Sequence, residues 1–253
     1  MIDHVTIRVP DVTVGRRFYG RALELLGHGD LMTEVDGFGP EWDDFSIAEA
    51  EVGEPATTRL HVGFRAPSRA AVDAWWAAMT EDGYPSDGAP GPRPVYGPDY
   101  YGAFVTDPAG NSVEAVHDVP ARGAGVLDHL WLRVADLDES TRFYETIAPI
   151  VDLQAVRIPA GPTPEVPERT LVAGDGDVAS VSVMEGEPTL RVHLAFAAPD
   201  RATVAAFHRL GTSAGFVSLG EPGERPQYHP GYYGAYLRDP DGHNIEAVFH
   251  DRA

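Results

Sequence analysis

Asp3-His4-Val5-Thr6-Ile7-Arg8-Val9 returns later in the chain as Asp128-His129-Leu130-Trp131-Leu132-Arg133-Val134, an offset of 125 residues from His4 to His129. Arg17-Phe18-Tyr19 returns at the same offset as Arg142-Phe143-Tyr144. From His61 onward the offset is 132. Leu60-His61-Val62-Gly63-Phe64 returns as Val192-His193-Leu194-Ala195-Phe196, and Tyr100-Tyr101-Gly102-Ala103-Phe104 returns as Tyr232-Tyr233-Gly234-Ala235-Tyr236. Asp107 through Val116 returns as Asp239 through Val248. A pattern this long, written twice, specifies the same unit twice. The second copy carries about seven extra residues. The Pro/Gly-rich stretch from Ile158 to Arg169 is where a loop would hold them. The expected division is a first domain at 1–119, a linker at 120–125 and a second domain at 126–253.

Each repeat divides again. In Ile2 to Val9 the residues Val5, Ile7 and Val9 point one way and His4, Thr6 and Arg8 the other, the alternation of a half-buried strand. Asp11 can cap a helix that Gly27 stops. Short strands follow, among them Phe45 to Ala48. The plan then recurs: a strand over Leu60 to Arg65, and a helix capped by Ser68 that buries Val72, Trp75, Trp76 and Met79. Strands near Tyr101 to Thr106 and Ser112 to His117 are joined by the Asp107-Pro108-Ala109-Gly110 turn. The order β-α-β-β-β, four times over, implies an α+β fold with curved mixed sheets and helices outside.

Composition narrows the function. With 19 basic and 39 acidic side chains the net charge is −20, which repels phosphate backbones and anionic lipid, so nucleic acid and membrane are excluded as partners. Cationic small molecules suit such a surface. No apolar run approaches the ~20 residues of a spanning helix, and the first residues enter a strand pattern without a signal-like segment. The absence of cysteine removes disulfides, thiolate metal sites and thiol nucleophiles, and fits a cytoplasmic setting.

Of the ten histidines, four find a histidine partner under the repeat offsets: His4 with His129, and His61 with His193. All four sit mid-strand, opposite the aliphatic stripe. Glu114 and Glu246 form a third pair, each flanked by apolar residues in a strand. A carboxylate there is costly to bury unless something positive meets it. One such histidine alone would read as a hydrogen-bonded core residue. The doubled set of His4, His61 and Glu114 with His129, His193 and Glu246 reads as two 2-His-1-carboxylate sites for divalent ions.

These residues, with the Asp-Pro-x-Gly-x-x-x-Glu ending at Asp107 to Glu114 and Asp239 to Glu246, resemble the vicinal oxygen chelate superfamily. That superfamily includes glyoxalase I, extradiol dioxygenases and bleomycin-binding proteins. The resemblance covers nearly the whole chain as two fused glyoxalase-like units. It implies metals in cups formed by paired modules. It leaves open whether His4 joins His61 and Glu114 or His193 and Glu246. Glyoxalase I-like sites use a fourth ligand, a glutamate, where this chain has Ser46 and Ser182; Glu49 could slide in. Extradiol dioxygenases use His, His and Glu alone, and by that resemblance His229 and Tyr236, ahead of Glu246, are the candidate catalytic residues. No separate cofactor-binding residue is expected. Trp131 replaces Thr6 beside His129 and could narrow one cup or stack on a flat ligand.

The expectation is therefore a metal-dependent dioxygenase or lyase/isomerase acting on a small oxygen-bearing substrate. Fe2+ or Mn2+ is favoured over Zn2+ or Ni2+. The alternative is a non-catalytic drug- or metabolite-binding protein of the bleomycin-resistance type. A homodimer is left open.

Overall fold

The computed structural model describes residues 1–35, 39–118, 125–161, 163, 166–174 and 179–251. The expected linker at 120–125 therefore lies outside the described residues, save Gly125. Four β-α-β-β-β modules follow one another. The first runs β1 (Ile2–Val9), α1 (Val12–Leu25), β2 (Met32–Val35), β3 (Gly39–Trp42) and β4 (Phe45–Glu49). The second runs β5 (His61–Arg65), α2 (Arg69–Glu81), β6 (Ser86–Pro92), β7 (Tyr101–Thr106) and β8 (Ser112–His117). The third runs β9 (Leu127–Val134), α3 (Leu137–Ile147), β10 (Gln154–Ile158), β11 (Arg169–Ala173) and β12 (Ser180–Glu185). The fourth runs β13 (Val192–Ala197), α4 (Arg201–Ser213), β14 (Val217–Glu224), β15 (Tyr232–Arg238) and β16 (Asn244–His250). The seven extra residues lie where the proline and glycine content put them. Ten residues join β10 to β11, against three joining β2 to β3.

Local chemistry sets the helix limits. The side chains of Asp11, Ser68, Asp136 and Asp200 accept backbone N–H bonds in the first turns of α1, α2, α3 and α4, worth about 1 kcal/mol each. Gly27 and Gly83 take positive φ just past α1 and α2, a conformation that costs glycine little. One expectation about α2 needs correcting. Val72, Trp75 and Met79 are buried, but Trp76 is only half-buried and turns its indole N–H to Ser86 Oγ at 3.1 Å. Among the described residues no helix is long and apolar enough to cross a membrane.

The strands form two mixed sheets of eight. One has the order β14-β15-β16-β13-β1-β4-β3-β2 and the other β10-β11-β12-β9-β5-β8-β7-β6. Neither sheet belongs to one repeat. The first module joins the fourth through antiparallel β1 and β13, with Thr6 opposite His193. The third joins the second through antiparallel β9 and β5, with His129 opposite Gly63. Two buried threonines, related by the 132-residue offset, fasten this exchange. Thr57 Oγ1 accepts from Arg8 N and donates to Arg191 O, and Thr189 Oγ1 accepts from Arg133 N and donates to Arg59 O. The aliphatic faces of both sheets share one continuous core with the helices, from Val5 and Phe18 to Leu130 and Phe207. The opposite faces carry the histidines.

Candidate metal centres

Strand alternation and the exchange of modules decide which candidate ligands meet. His4 from β1, His193 from β13 and Glu246 from β16 converge in one cup, called here centre I. His61 from β5, Glu114 from β8 and His129 from β9 converge in the other, centre II. Each triad therefore mixes repeats, and the option joining His4 to His61 and Glu114 is not the one adopted. Within repeat two, His129 lies in centre II while His193, Glu246 and Tyr236 belong to centre I.

In centre II the Nε2 atoms of His61 and His129 are 2.9 Å apart. They lie 3.1 and 3.3 Å from Glu114 Oε2. In centre I the Nε2 atoms of His4 and His193 are 3.1 Å apart, and lie 3.9 and 3.2 Å from Glu246 Oε2. Ligands about 2.1 Å from one divalent ion stand about 3.0 Å apart at octahedral angles and about 3.4 Å apart at tetrahedral ones. The centre II triangle fits a three-ligand face of a small divalent cation; centre I matches it on two sides, while its His4–Glu246 side of 3.9 Å is longer than either geometry gives.

Neighbouring side chains fix the orientation of these ligands. Nδ1 of His4 donates to Asp3 at 2.8 Å, and Nδ1 of His129 donates to Asp128 at 2.8 Å. A histidine held at Nδ1 by a carboxylate presents a bare, more basic lone pair at Nε2. His61 Nδ1 lies 3.2 Å from Ser112 Oγ. Both glutamates are buried, and each is held by a tyrosine. Tyr100 OH reaches the two Glu114 oxygens at 2.9 and 3.0 Å, and Tyr232 OH donates to Glu246 Oε1 at 2.9 Å. Gly102 and Gly234 make room for this, since a Cβ at either would collide with a carboxylate oxygen of Glu114 or Glu246. Sequence reasoning gave none of these residues a role, although Asp3/Asp128, Tyr100/Tyr232 and Gly102/Gly234 all recur at the repeat offsets. The doubling was the available signal.

The electrostatics of centre II follow. Burial pushes the Glu114 carboxyl up, but His129 and His61 outweigh it and hold the group down at about 2. Burial pushes His129 down, but Asp128 and Glu114 outweigh it and raise it to about 9. Burial lowers His61. At pH 7 the metal-free triad thus holds one proton, on His129, in the space a cation would take. A divalent ion must displace it. Binding at centre II is expected to release about one proton at pH 7, and affinity should rise about tenfold per pH unit until about pH 9. Calorimetry in buffers of different ionisation enthalpy measures both. Asp128→Asn is expected to weaken metal binding at centre II by about 10–100-fold with the fold intact, read by competition with a chelator.

Centre I differs in its surroundings. Burial lowers His4, but the Asp3 hydrogen bond and Glu246 more than offset it, so the group ends raised; burial lowers His193. Asp3 also meets His250 Nε2 at 3.1 Å, and His250 Nδ1 lies 2.8 Å from His229 Nε2. His229 is thus linked to His4 through His250 and Asp3, not placed among the ligands. Tyr236 lies closer. Its ring is 6.3 Å from that of His193, its hydroxyl is buried without a hydrogen-bond partner, and burial with the nearby Glu246 raises its pKa. Neither serine supplies a fourth carboxylate, and Ser46 Oγ pairs with Thr6 Oγ1 at 2.8 Å. Glu49 cannot slide in. It is exposed and in register with Val9, so alternation turns it to the helix side of the sheet. The carboxylate nearest in role is Glu41 on β3, the register partner of Ser46, which acts on His4 through its field.

A profile of the Glyoxalase/Bleomycin resistance protein/Dioxygenase superfamily matches residues 1–115 and 126–247. The chain belongs to this superfamily. No curated protein matches the chain in sequence. Among solved structures, this superfamily member is similar to glyoxalase I from Zea mays, with a TM-score of 0.64 at 16% identity over 98% of this chain and 92% of that one. It is similar to a putative dioxygenase from Bacillus subtilis, with a TM-score of 0.64 at 16% identity over 100% of this chain and 86% of that one. At such identities the likeness is one of fold. The fold and the family are those the repeated motifs implied.

Proposed function

We propose that the chain is a metal-dependent enzyme that acts on a small organic substrate bearing adjacent oxygens, in the dioxygenase or lyase/isomerase range of its superfamily. The observation that carries this reading is the convergence of two Nε2 lone pairs and one carboxylate oxygen in each cup, with Asp3 and Asp128 behind the ring that completes each set. Two imidazole Nε2 atoms and a carboxylate oxygen facing one another at about 3 Å need positive charge between them, a proton in metal-free centre II and a divalent ion in its place when metal is bound. A divalent ion there would supply Lewis acidity and open positions for substrate oxygens.

The protein's own groups divide the remaining tasks. The aspartates hold the histidine tautomer. Tyr100 and Tyr232 hold the glutamates so that one oxygen faces the histidines. In centre I the Tyr236 hydroxyl, kept protonated and without a partner, can donate to a substrate oxygen. His229, His250 and Asp3 form a hydrogen-bonded path along which a proton can reach the cup wall. Two histidines and one carboxylate, with no fourth carboxylate in either ligand group among the described residues, favour iron(II) or manganese(II) over zinc or nickel. Sequestration of a cationic drug draws support from the net charge of −20, but arginines line the cup of centre II and oppose a cationic guest there. Metal analysis of protein purified without an affinity tag tests the reading. Two divalent ions per chain are expected, and metal-free protein that takes up none on incubation with Fe2+, Mn2+, Zn2+ or Ni2+ would overturn it.

A further inference from the structure

The two cups are built on the same plan but walled differently. The chain's basic side chains are 19 arginines with no lysine, set against 39 acids. In so acidic a molecule an arginine without an acidic partner stands out. Three arginines line the cavity over centre II, which has a volume of about 680 Å³: Arg59, Arg133 and Arg169. Arg59 is engaged, with Nη1 3.3 Å from Glu187 and Nε donating to Pro188 O at 2.7 Å. Arg133 and Arg169 have no carboxylate within ion-pair distance among the described residues, and Arg169 Nη1 is buried with no hydrogen-bond partner at all. The other carboxylates of this cavity are Asp87, exposed at the rim, and Glu114, already held by its histidines and Tyr100.

Aromatic rings share the cavity. Trp131 meets His61 of the triad edge-on, with ring centres 6.4 Å apart at 82°. Tyr96 meets Trp131 edge-on at 5.9 Å, and Phe104 lies 5.8 Å from His61. The Arg169 guanidinium lies 5.5 Å from the centre of the Trp131 ring, so cation and aromatic wall are one unit.

Centre I keeps Arg8, Tyr228 and Tyr236 in the places of Arg133, Tyr96 and Phe104, but lacks counterparts of Trp131 and Arg169. Thr6 stands where Trp131 does. Leu171 pairs with Ser182 as Glu41 pairs with Ser46, so Glu41 takes the place of Leu171, and Gly39, two residues earlier, the place of Arg169. Centre II thus carries a tryptophan and an extra arginine where its twin has Thr6 and Gly39, and its twin carries Glu41 where centre II has Leu171.

We infer that the cup of centre II takes a flat, anionic substrate, an aromatic or otherwise planar acid that stacks on Trp131 and places its carboxylate on Arg169 and Arg133. The inference rests on the proposed function for its metal end and extends it to the substrate class of one cup. Arg133 is exposed and Arg169 half-buried with Nη1 out of water and without a partner, and that nitrogen gains a charge-assisted contact from such a carboxylate. A neutral ring would leave it unsatisfied, and a cationic ring would be repelled.

The test is calorimetric titration with 2-naphthoate, 2-naphthylmethanol and 2-naphthylmethylammonium, which share a ring and differ in charge, on protein stripped with EDTA and on protein reloaded with Mn2+. In both states naphthoate is expected to bind at least about tenfold more tightly than the alcohol, and the ammonium ion most weakly. Arg169→Met should bring naphthoate to within about threefold of the alcohol, while Arg169→Lys, which keeps the charge but loses the planar fork, keeps only part of the difference. Trp131→Thr, which installs the residue of the other cup, should weaken naphthoate and alcohol alike by about fivefold. Alcohol binding serves as the check on folding; should Arg169→Met lose it, Arg133→Met takes its place. Equal affinities across the three probes, or a preference that survives the loss of either arginine, would overturn the inference. Because the charge preference is read without metal, it can stand where the metal reading fails, and it can fail where two ions are found.

Discussion

Cut within the segment joining the repeats, the chain is expected to lose both ligand triads at once. Each eight-stranded sheet takes four strands from each repeat. The N-terminal half alone would keep β1 to β4 and β5 to β8 as two separate four-stranded pieces. His4 would sit on one, His61 and Glu114 on the other, and neither piece would hold three ligands. The C-terminal half would be left with His129 on one piece and His193 and Glu246 on the other. Both halves would also bare strands that are interior in the whole protein. β9, in which all but Trp131 and Arg133 are buried, would become an edge. Such an edge is a template for pairing with another copy. The expected result for either half, as a monomer, is less than about a tenth of an ion per chain and a broadened, low-temperature unfolding transition. Mixing the halves should restore both. Mass has to be measured alongside metal, because in a dimer of N-terminal halves β1 of one copy could take the place of β9 beside β5 of the other and rebuild a triad. A monomeric half that binds one ion tightly would show that the exchange of modules is not what assembles the centres.

The same exchange marks the limit of what could be read from residues alone. The period-2 alternation of β1, β5, β9 and β13, the caps at Asp11 and Ser68 and the stops at Gly27 and Gly83 are local signals, and the elements follow them. The six candidate ligands were legible for a different reason: each is polar, set in or at the start of an apolar strand, and duplicated. Pairing was not legible, because duplication itself hides it. β1 and β9 carry the same Asp-His pattern, and β5 and β13 the same histidine near the strand start, so either partner satisfies β1 equally well in pattern. The choice depends on long-range contacts such as Thr57 with Arg191 O and Thr189 with Arg59 O, and a threonine between strands gives no sign of its partner in the sequence. Trp76 shows the converse limit. Helical spacing places it beside the buried face, yet Ser86 at the start of β6 offers its indole a hydrogen bond nearer the surface. His229 was selected for its chemistry and its place ahead of Glu246. What the structure adds is His250, whose offset partner is one residue away from a histidine and so escaped the pairing that found the others.

Glu114→Ala and Glu246→Ala are expected to remove one ion each, and different ions. Glu114 contributes only to centre II and Glu246 only to centre I, so stoichiometry should fall from two to one in either variant and to none in the double variant. The affected centre should lose at least about 100-fold in affinity, since removing a direct ligand costs no less than removing the group behind one. Loss of Glu114 leaves the Tyr100 hydroxyl without its acceptor, and loss of Glu246 does the same to Tyr232, so each variant should also lose about 1–3 kcal/mol of stability in the metal-free state. Glutamine at either position keeps an acceptor for the tyrosine while removing the charge, so Glu114→Gln and Glu246→Gln should recover most of that stability without recovering the ion. The two single variants also separate the cups in function. Turnover that survives Glu246→Ala and vanishes in Glu114→Ala places the chemistry under Trp131. The reverse result places it beside Tyr236, where the hydroxyl without a partner and the path through Asp3, His250 and His229 would then be the groups that handle the proton. A single ion lost from both centres by either substitution would mean that the two triads are coupled through the shared core, contrary to two centres that are independent in their ligands.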